Sequence, residues 1–461
     1  MSHKSHAIIV VDLGYGDSGK GSVVDALAHR YAAHTVIRYN GGSQAAHTVV
    51  TPGGAVHTFA QWGSATFLPS VHTYLSHYML VDPLALLSEE VHLRSVGVLD
   101  AFDRLFIDER ALLVTPFARA LNRIRESSRG DLRHGSCGMG IGETVEDASV
   151  TEHVLRAIDL RDERTLHQKL LQQRERMKRE GERVLLGMTP PNDSADEWRL
   201  LAAENEHAVE NIIRGFSEVA AQATIVGSGW VKKLFQQEGV IIFEGGQGVL
   251  IDQNHGFHPY TTWGDTTTGN AHALLLANDF TGEVKTIGVL RAYATRHGPG
   301  PFIPEDQKLT ELLPDTYNIW NEWQRGFRIG WFDAVASRYA LRATGTVDAL
   351  AITNLDRLST LPDLQLVSAY KAPDASDVKR FGDGADGAVF SDIRSVAPPD
   401  IAHQALLTTF LKTVEPVLTS RIQNDEQLIS EIERQLGVKV ALVGRGPARD
   451  RKDWKSEIIA L

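Results

Sequence analysis

Cysteine is almost absent from this chain: Cys137 is the only one in 461 residues. That excludes an intramolecular disulfide and a thiolate metal cluster, and it fits a reducing compartment, expected to be the cytoplasm. No apolar run approaches the roughly 20 residues that cross a bilayer, so no membrane partner is expected. The opening MSHKSH leads directly into a strand-like run, and no signal peptide is expected. Positive charge is not in excess either. With 47 Lys+Arg against 58 Asp+Glu the formal charge is −11, which argues against a nucleic-acid partner bound by bulk electrostatics. A small anion held in a local basic pocket stays open. Internal repeats, low-complexity tracts and a convincing linker are missing too. With 43% hydrophobic and 23% charged residues, the chain reads as one large globular domain, 1–461, carrying helical insertions.

The most informative stretch is residues 8–27. Ile8, Ile9, Val10 and Val11 read as a buried parallel strand. Gly14-Tyr15-Gly16-Asp17-Ser18-Gly19-Lys20-Gly21 follows, and Val23, Val24, Ala26 and Leu27 begin a helical period. Strand, glycine turn and helix hold phosphate with backbone N–H groups and a helix N-terminus. Lys20 adds a full charge. Asp17 is the odd member, since an acid beside a phosphate is repelled unless it has a task. Two motifs overlap here. Gly14, Gly16 and Gly19 satisfy the dinucleotide pattern, and Gly14 to Lys20 satisfy most of a P-loop. The first wants an acid at the end of the next strand; Arg38-Tyr39-Asn40 stands there, although Arg38 suits a 2′-phosphate. The second wants Ser or Thr after the lysine; Gly21 stands there, and Ser22 comes one later. A further glycine-rich loop, Asn40 to Ala46, closes on His47 and Thr48.

Further strand-like runs lie at 35–39, 112–115, 239–243, 285–293, 347–353, 364–370 and 438–443. Helical patterns between many of them predict an α/β fold with a large, mostly parallel sheet. Residues 160–190 read as a solvated helix within a helical excursion over about 150–235. Residues about 364–400 read as a peripheral hairpin and loop region.

Read together, the segments resemble the adenylosuccinate synthetase family. Gly16-Asp17-Ser18-Gly19-Lys20-Gly21-Ser22 is similar to its G-D-E-G-K-G-K, and Gly41-Gly42-Ser43-Gln44-Ala45-Ala46-His47-Thr48 to its G-G-x-N-A-G-H-T. Gly138 to Gly142 with Glu146-Asp147, and Phe243 to Gly248 with His255-Gly256 and Pro259 to Thr262, match further blocks in order. So do Tyr293 to Arg296, Gly300-Pro301-Phe302, Gly330 to Asp333, Thr353 to Asp356 and Gly444 to Pro447. The resemblance spans nearly the whole chain.

It implies a ligase that joins L-aspartate to inosine monophosphate while GTP is cleaved to GDP and phosphate. Asp17 would be the base that takes the purine N1 proton, so that the 6-oxygen attacks the γ-phosphate, and His47 would donate to the group that develops charge. Gly16, Ser18, Gly19, Lys20, Gly21, His47 and Thr48 would line the triphosphate. Asn354, Asp356, Gly444, Gly446 and Pro447 would meet the guanine. Gln44, Ser136, Cys137, Gln247, Thr262 and Arg325 would surround the IMP-like nucleotide, and Arg325 and Arg328 the amino acid. Mg²⁺ would be held by the Asp17 carboxylate and the Ala46 carbonyl. A homodimer is also implied.

The chain departs from the family pattern in its pockets. Asn354 replaces the lysine of T-K-L-D, which makes ATP a rival to GTP. Phe327 stands where the arginine-rich loop would place another arginine, which opens the site to another amine than aspartate. Cys137 replaces a threonine, and Thr151 aligns with the arginine that crosses from a dimer partner, with Arg156 close by. These changes suit a specialised paralogue acting on a modified nucleotide. An NAD(P)-dependent oxidoreductase and a nucleotide-binding protein without catalysis are the readings from other classes.

Overall fold

The computed structural model describes residues 5–130, 133–202, 207–315, 318, 323 and 326–460. Its centre is a ten-stranded sheet. Counted in chain order within this sheet, the strands are β1 (Ser5–Asp12), β2 (Thr35–Arg38), β3 (His72–Leu75), β4 (Leu105–Asp108) and β5 (Thr224–Val226). They continue as β6 (Gly239–Glu244), β7 (Glu283–Arg291), β8 (Ala349–Thr353), β9 (Val440–Gly444) and β10 (Lys452–Trp454). The order across the sheet is β10-β9-β8-β7-β1-β6-β2-β3-β4-β5. All neighbours are parallel except β9 and β10.

The unbroken apolar run of β1 explains its central place, because a parallel strand is covered on both faces. Ile8 and Val10 pack with Val23, Val24 and Leu27 of helix α1 (Lys20–Arg30). Ala7 and Ile9 pack with Val231, Leu234, Ala271 and Leu274 on the opposite face. Each such buried Val, Leu or Ile side chain stabilises the fold by about 1.5–3 kcal/mol.

Two expected strands sit elsewhere. The run at 112–115 shrinks to Leu112–Leu113, which pairs with Leu80–Val81 outside the central sheet. The run at 364–370 becomes Leu366–Lys371 in a separate sheet with Phe332–Asp333, Val389–Phe390 and Glu415–Leu418. Three short strands on one side of the sheet, β3, β4 and β5, carry His72, Asp108 or Thr224 among their apolar residues, which masks their period. The helix read over 160–190 is Glu163–Leu185. It is not merely solvated: Leu166, Leu170, Met177 and Leu185 pack with Leu121 and Ile124. Among the described residues, no helix is long and apolar enough to cross a membrane.

Parallel strands deliver their C-terminal ends to one edge, where ligands of open α/β sheets bind. The loops after β1, β2, β6, β7, β8 and β9 therefore gather there, and they carry the motifs.

Candidate active site

The first loop is organised by an acid that the motif reading passed over. Asp12, buried at the end of β1, accepts from Gly14 N (2.8 Å), Ser18 N (3.1 Å), Ser18 Oγ (2.8 Å) and Lys20 Nζ (2.7 Å). Lys20 is 2% exposed and also donates to the Gln247 carbonyl at 2.9 Å. Its charge is thus held inside the loop. Gly16 and Gly19 have φ of +99° and +84°, and Asp17, with a side chain, holds +58°. That strained turn is pinned by Arg291, whose Nε donates to the Asp17 carbonyl at 2.6 Å. The Asp17 carboxylate itself stays partly open, 27% exposed.

Gly21 explains why the P-loop hydroxyl is missing. A Cβ there would lie 3.0 Å from the Cβ of His47 and 3.1 Å from Ser64 Oγ. The start of α1 and the second loop are in contact, so His47 sits against the phosphate turn. His47 Nδ1 lies 2.5 Å from Glu244 Oε1, and Glu244 also takes Ser64 N (2.9 Å) and Ser64 Oγ. Burial pushes the imidazole down to about 4, although Glu244 pulls the other way. Burial alone would raise Glu244, but the His47 hydrogen bond and the charge of Arg38 hold it down at about 2. The pair is a neutral imidazole oriented by a carboxylate. Glu244 lay inside a matched block, yet only proximity in space reveals this task. The Thr48 hydroxyl, in contrast, meets Thr58 Oγ1 at 3.0 Å across a hairpin. Ala46 is exposed.

Arg38 does not serve a cofactor phosphate. It is fully buried, with its guanidinium on the carbonyls of Ala60 (3.3 Å) and Trp62 (3.2 Å). This removes the support that β2 lent to the dinucleotide reading.

The nucleotide candidates converge from several loops. Gln247 holds φ +50°, and its Nε2 is buried without a partner among the described residues. Ser43 Oγ and Gln44 Oε1 are buried and unpartnered as well. Orphaned polar atoms clustered at a strand-end crevice are what a polar ligand would satisfy. A Cβ on Gly41 would reach Gln247 Oε1 at 3.0 Å, and one on Gly42 would reach Ile141 Cδ1 at 2.6 Å. The second loop therefore lies between the Gln247 loop and the helix Ile141–Val150. Ser136 Oγ donates to Asn122 Oδ1 at 2.9 Å, and Cys137 beside it is a half-buried thiol that burial pushes up to about 11. Thr262 is half-buried; its N–H meets the Ile251 carbonyl at 2.7 Å, and the adjacent Trp263 abuts Gly142.

The base candidates lie next door. Thr353 Oγ1, at the end of β8, donates to the Ser18 carbonyl at 2.7 Å, tying them to the first loop. Asn354 turns left-handed (φ +58°), and Gly444 packs on Thr353 and Asn354. Gly446 and Pro447 offer their carbonyls to Lys452 Nζ at 2.7 and 3.4 Å. Lys452 is a buried cation, with burial pushing its ammonium down to about 8 while Asp25 and Asp356 pull it up.

The arginine loop is only partly in view: Arg325 lies outside the described residues. Arg328 is not a free carboxylate fork. It donates to Glu305 (3.0 Å) and to the carbonyls of Gly298 (2.7 Å) and Gly300 (3.0 Å).

These loops bring a partly open carboxylate, Asp17, and a buried imidazole oriented by Glu244 to the two ends of one glycine-rich turn, an arrangement suited to an enzyme that activates oxygen by phosphorylation. The comparisons agree with that class. The family model for adenylosuccinate synthetase matches residues 9–452. The adenylosuccinate synthetase of Rhodococcus erythropolis is 29% identical, covering 98% of this chain and 99% of its own. That of Gloeothece citriformis is 33% identical over 79% of this chain and 77% of its own. The fold is similar to the fully ligated adenylosuccinate synthetase of Plasmodium falciparum (TM-score 0.74, 19% identity, 97% and 99% coverage). It is also similar to the cyanophage S-2L succinoaminodeoxyadenylate synthetase bound to dGMP and dATP (TM-score 0.59, 16% identity, 98% and 96% coverage). The chain belongs to the adenylosuccinate synthetase family and is a carbon–nitrogen ligase.

Proposed function

We propose that this protein joins L-aspartate to the 6-position of IMP, or of a close purine nucleotide, through a 6-phosphoryl intermediate driven by GTP. What supports the reading is two groups on neighbouring loops around the glycine turn: the partly exposed Asp17 carboxylate within the turn, and His47, packed against Gly21 and held by Glu244. Asp17 takes the N1 proton of the purine lactam. The 6-oxygen attacks the γ-phosphate; His47, its Nδ1–H held by Glu244, takes up a proton on Nε2 as phosphate charge comes to lie beside it and donates from there to the developing charge. The amine then displaces the phosphoryl group from C6.

Gly16, Ser18, Gly19 and Gly21 line the triphosphate with Lys20 beneath them. Gln44, Ser136, Cys137, Gln247 and Thr262, with Arg325, surround the nucleotide. Asp356, with Asn354 and the Gly444–Pro447 loop, reads the base. Members of this family use Mg²⁺. Here the Asp17 carboxylate and the Ala46 carbonyl would hold it, an oxygen donor set suited to a hard cation that keeps its remaining ligands for phosphate and water. When bound, it neutralises phosphate charge. The protein works in the cytoplasm as a homodimer in this reading, consistent with its single cysteine.

Asn354 in the lysine position favours a second reading for the energy donor, ATP. Phosphate release measured with IMP and aspartate, with GTP or ATP each in turn and with Mg²⁺ present, tests both. GTP-dependent formation of adenylosuccinate supports the first reading; release with ATP alone transfers the donor role. Thermal stabilisation by NAD⁺ or NADP⁺ and by neither triphosphate would overturn the ligase reading.

A further inference from the structure

The residue that follows Arg296 is His297, and nothing in the family's motif calls for a histidine there. Its Nε2 lies 3.8 Å from Asp17 Oδ2 and 3.4 Å from Asn318 Oδ1. Its ring packs on Phe327, with centroids 4.7 Å apart. Phe327 occupies the place of an arginine, and the guanidinium of Arg291 lies over the same ring at 5.6 Å. The neighbouring Arg328 spends its donors on Glu305 and on two carbonyls, those of Gly298 and Gly300. His297 Nδ1 is buried and unpartnered among the described residues.

Geometry relates these groups to the chemistry. If Asp17 deprotonates N1, the incoming amine reaches C6, the adjacent ring atom. Any side chain in contact with the Asp17 carboxylate is then within a few ångströms of the amine's path. His297 is such a side chain, and Phe327 packs on its ring.

We propose that His297 and Phe327 form the amine subsite, with His297 donating a ring N–H hydrogen bond to the carboxylate of an incoming α-amino acid where an arginine fork would otherwise stand. This rests on the proposed function, since it places the subsite by the task of Asp17. A single donor against an aromatic wall grips one carboxylate and tolerates an apolar side chain, so the substrate class widens from dicarboxylic to monocarboxylic α-amino acids.

The test uses the full-length protein with IMP, GTP and Mg²⁺. Initial rates of phosphate release are measured against L-aspartate, L-alanine and L-valine for wild type, His297→Leu, His297→Gln and Phe327→Arg. His297→Leu is expected to raise the amine KM about tenfold or more, far beyond any fall in kcat, with the KM values of both nucleotides little changed. His297→Gln, which keeps a donor, should recover most of that loss. Phe327→Arg should shift kcat/KM toward aspartate. A fall in kcat with an unchanged amine KM would make His297 a positioning residue for Asp17 and overturn the proposal, as would unaltered kinetics. A wild type without triphosphate-dependent turnover on any of these amines would instead count against the proposed function.

Discussion

Asp12 offers the strictest test of how the phosphate turn is built. It is 1% exposed and accepts four hydrogen bonds, one of them from the equally buried Lys20 ammonium. In Asp12→Ala, Lys20 keeps only the Gln247 carbonyl, and Gly14 N and Ser18 N lose their acceptor. Breaking a buried pair from this side strands a charge, and the expected loss of stability is about 3–5 kcal/mol. Lys20→Met is the milder change, because Asp12 keeps three donors; about 1–2 kcal/mol is expected. The double variant should be less damaged than the sum of the singles, with a coupling of about 2 kcal/mol. Urea unfolding followed by tryptophan fluorescence measures all three, provided the m-values agree. Strictly additive losses, or a Lys20→Met more damaging than Asp12→Ala, would refute the idea that Asp12 is the organising centre of the turn.

Other outcomes follow from neighbouring contacts. Asp17→Asn should abolish turnover and leave triphosphate affinity by calorimetry nearly intact, because it removes the base but not the turn. Gly21→Ala should cost about 1–3 kcal/mol and lower kcat, since its new Cβ would press on His47 at 3.0 Å; denaturation and steady-state rates check both. His47 makes stability pH-dependent. Its folded value of about 4 lies below the ordinary 6.5, so the unfolded chain binds the proton first, and stability falls as pH drops from 6.5 toward 4. The loss reaches about 3 kcal/mol from this group alone. Urea midpoints of wild type and His47→Asn across that window should converge at the acid end; parallel curves would contradict the assignment.

What could be read from the sequence followed from periodicity and spacing. The apolar runs of β1, β6, β7, β8 and β9 announced themselves because a parallel strand covered on both faces has no polar alternation. β3, β4 and β5 stayed hidden, being only three or four residues long with polar letters inside. Asp17, His47 and Gln247 were legible as members of ordered motifs. Asp12, Glu244, Lys452 and His297 were not, because each acts through a partner distant in sequence or buried by folding: Glu244 stands 197 residues from His47, and Lys452 is internal only after β10 pairs with β9. Arg328 was over-read for the same reason, since its carbonyl partners on the Gly298–Gly300 turn have no sequence signal.

Four of the described cations around this site share one property that bears on how it binds phosphate. Lys20 is taken up by Asp12, Arg38 by two carbonyls, Arg328 by Glu305 and two carbonyls, and Lys452 by the carbonyls of Gly446 and Pro447. None of these four projects as a free charge into solvent. Among the described residues, attraction of a triphosphate therefore rests on backbone N–H groups of the turn and on the N-terminus of α1, fixed dipoles at short range, and on Lys20 sharing its hydrogens between Asp12 and the ligand. Short-range, buried contacts are screened little by salt. Triphosphate affinity should accordingly change by less than about threefold between roughly 50 and 300 mM KCl at constant free Mg²⁺. A steep, order-of-magnitude loss over that range would mean that exposed cations carry the binding, and that the closed arrangement around Lys20 is not the one that meets the nucleotide.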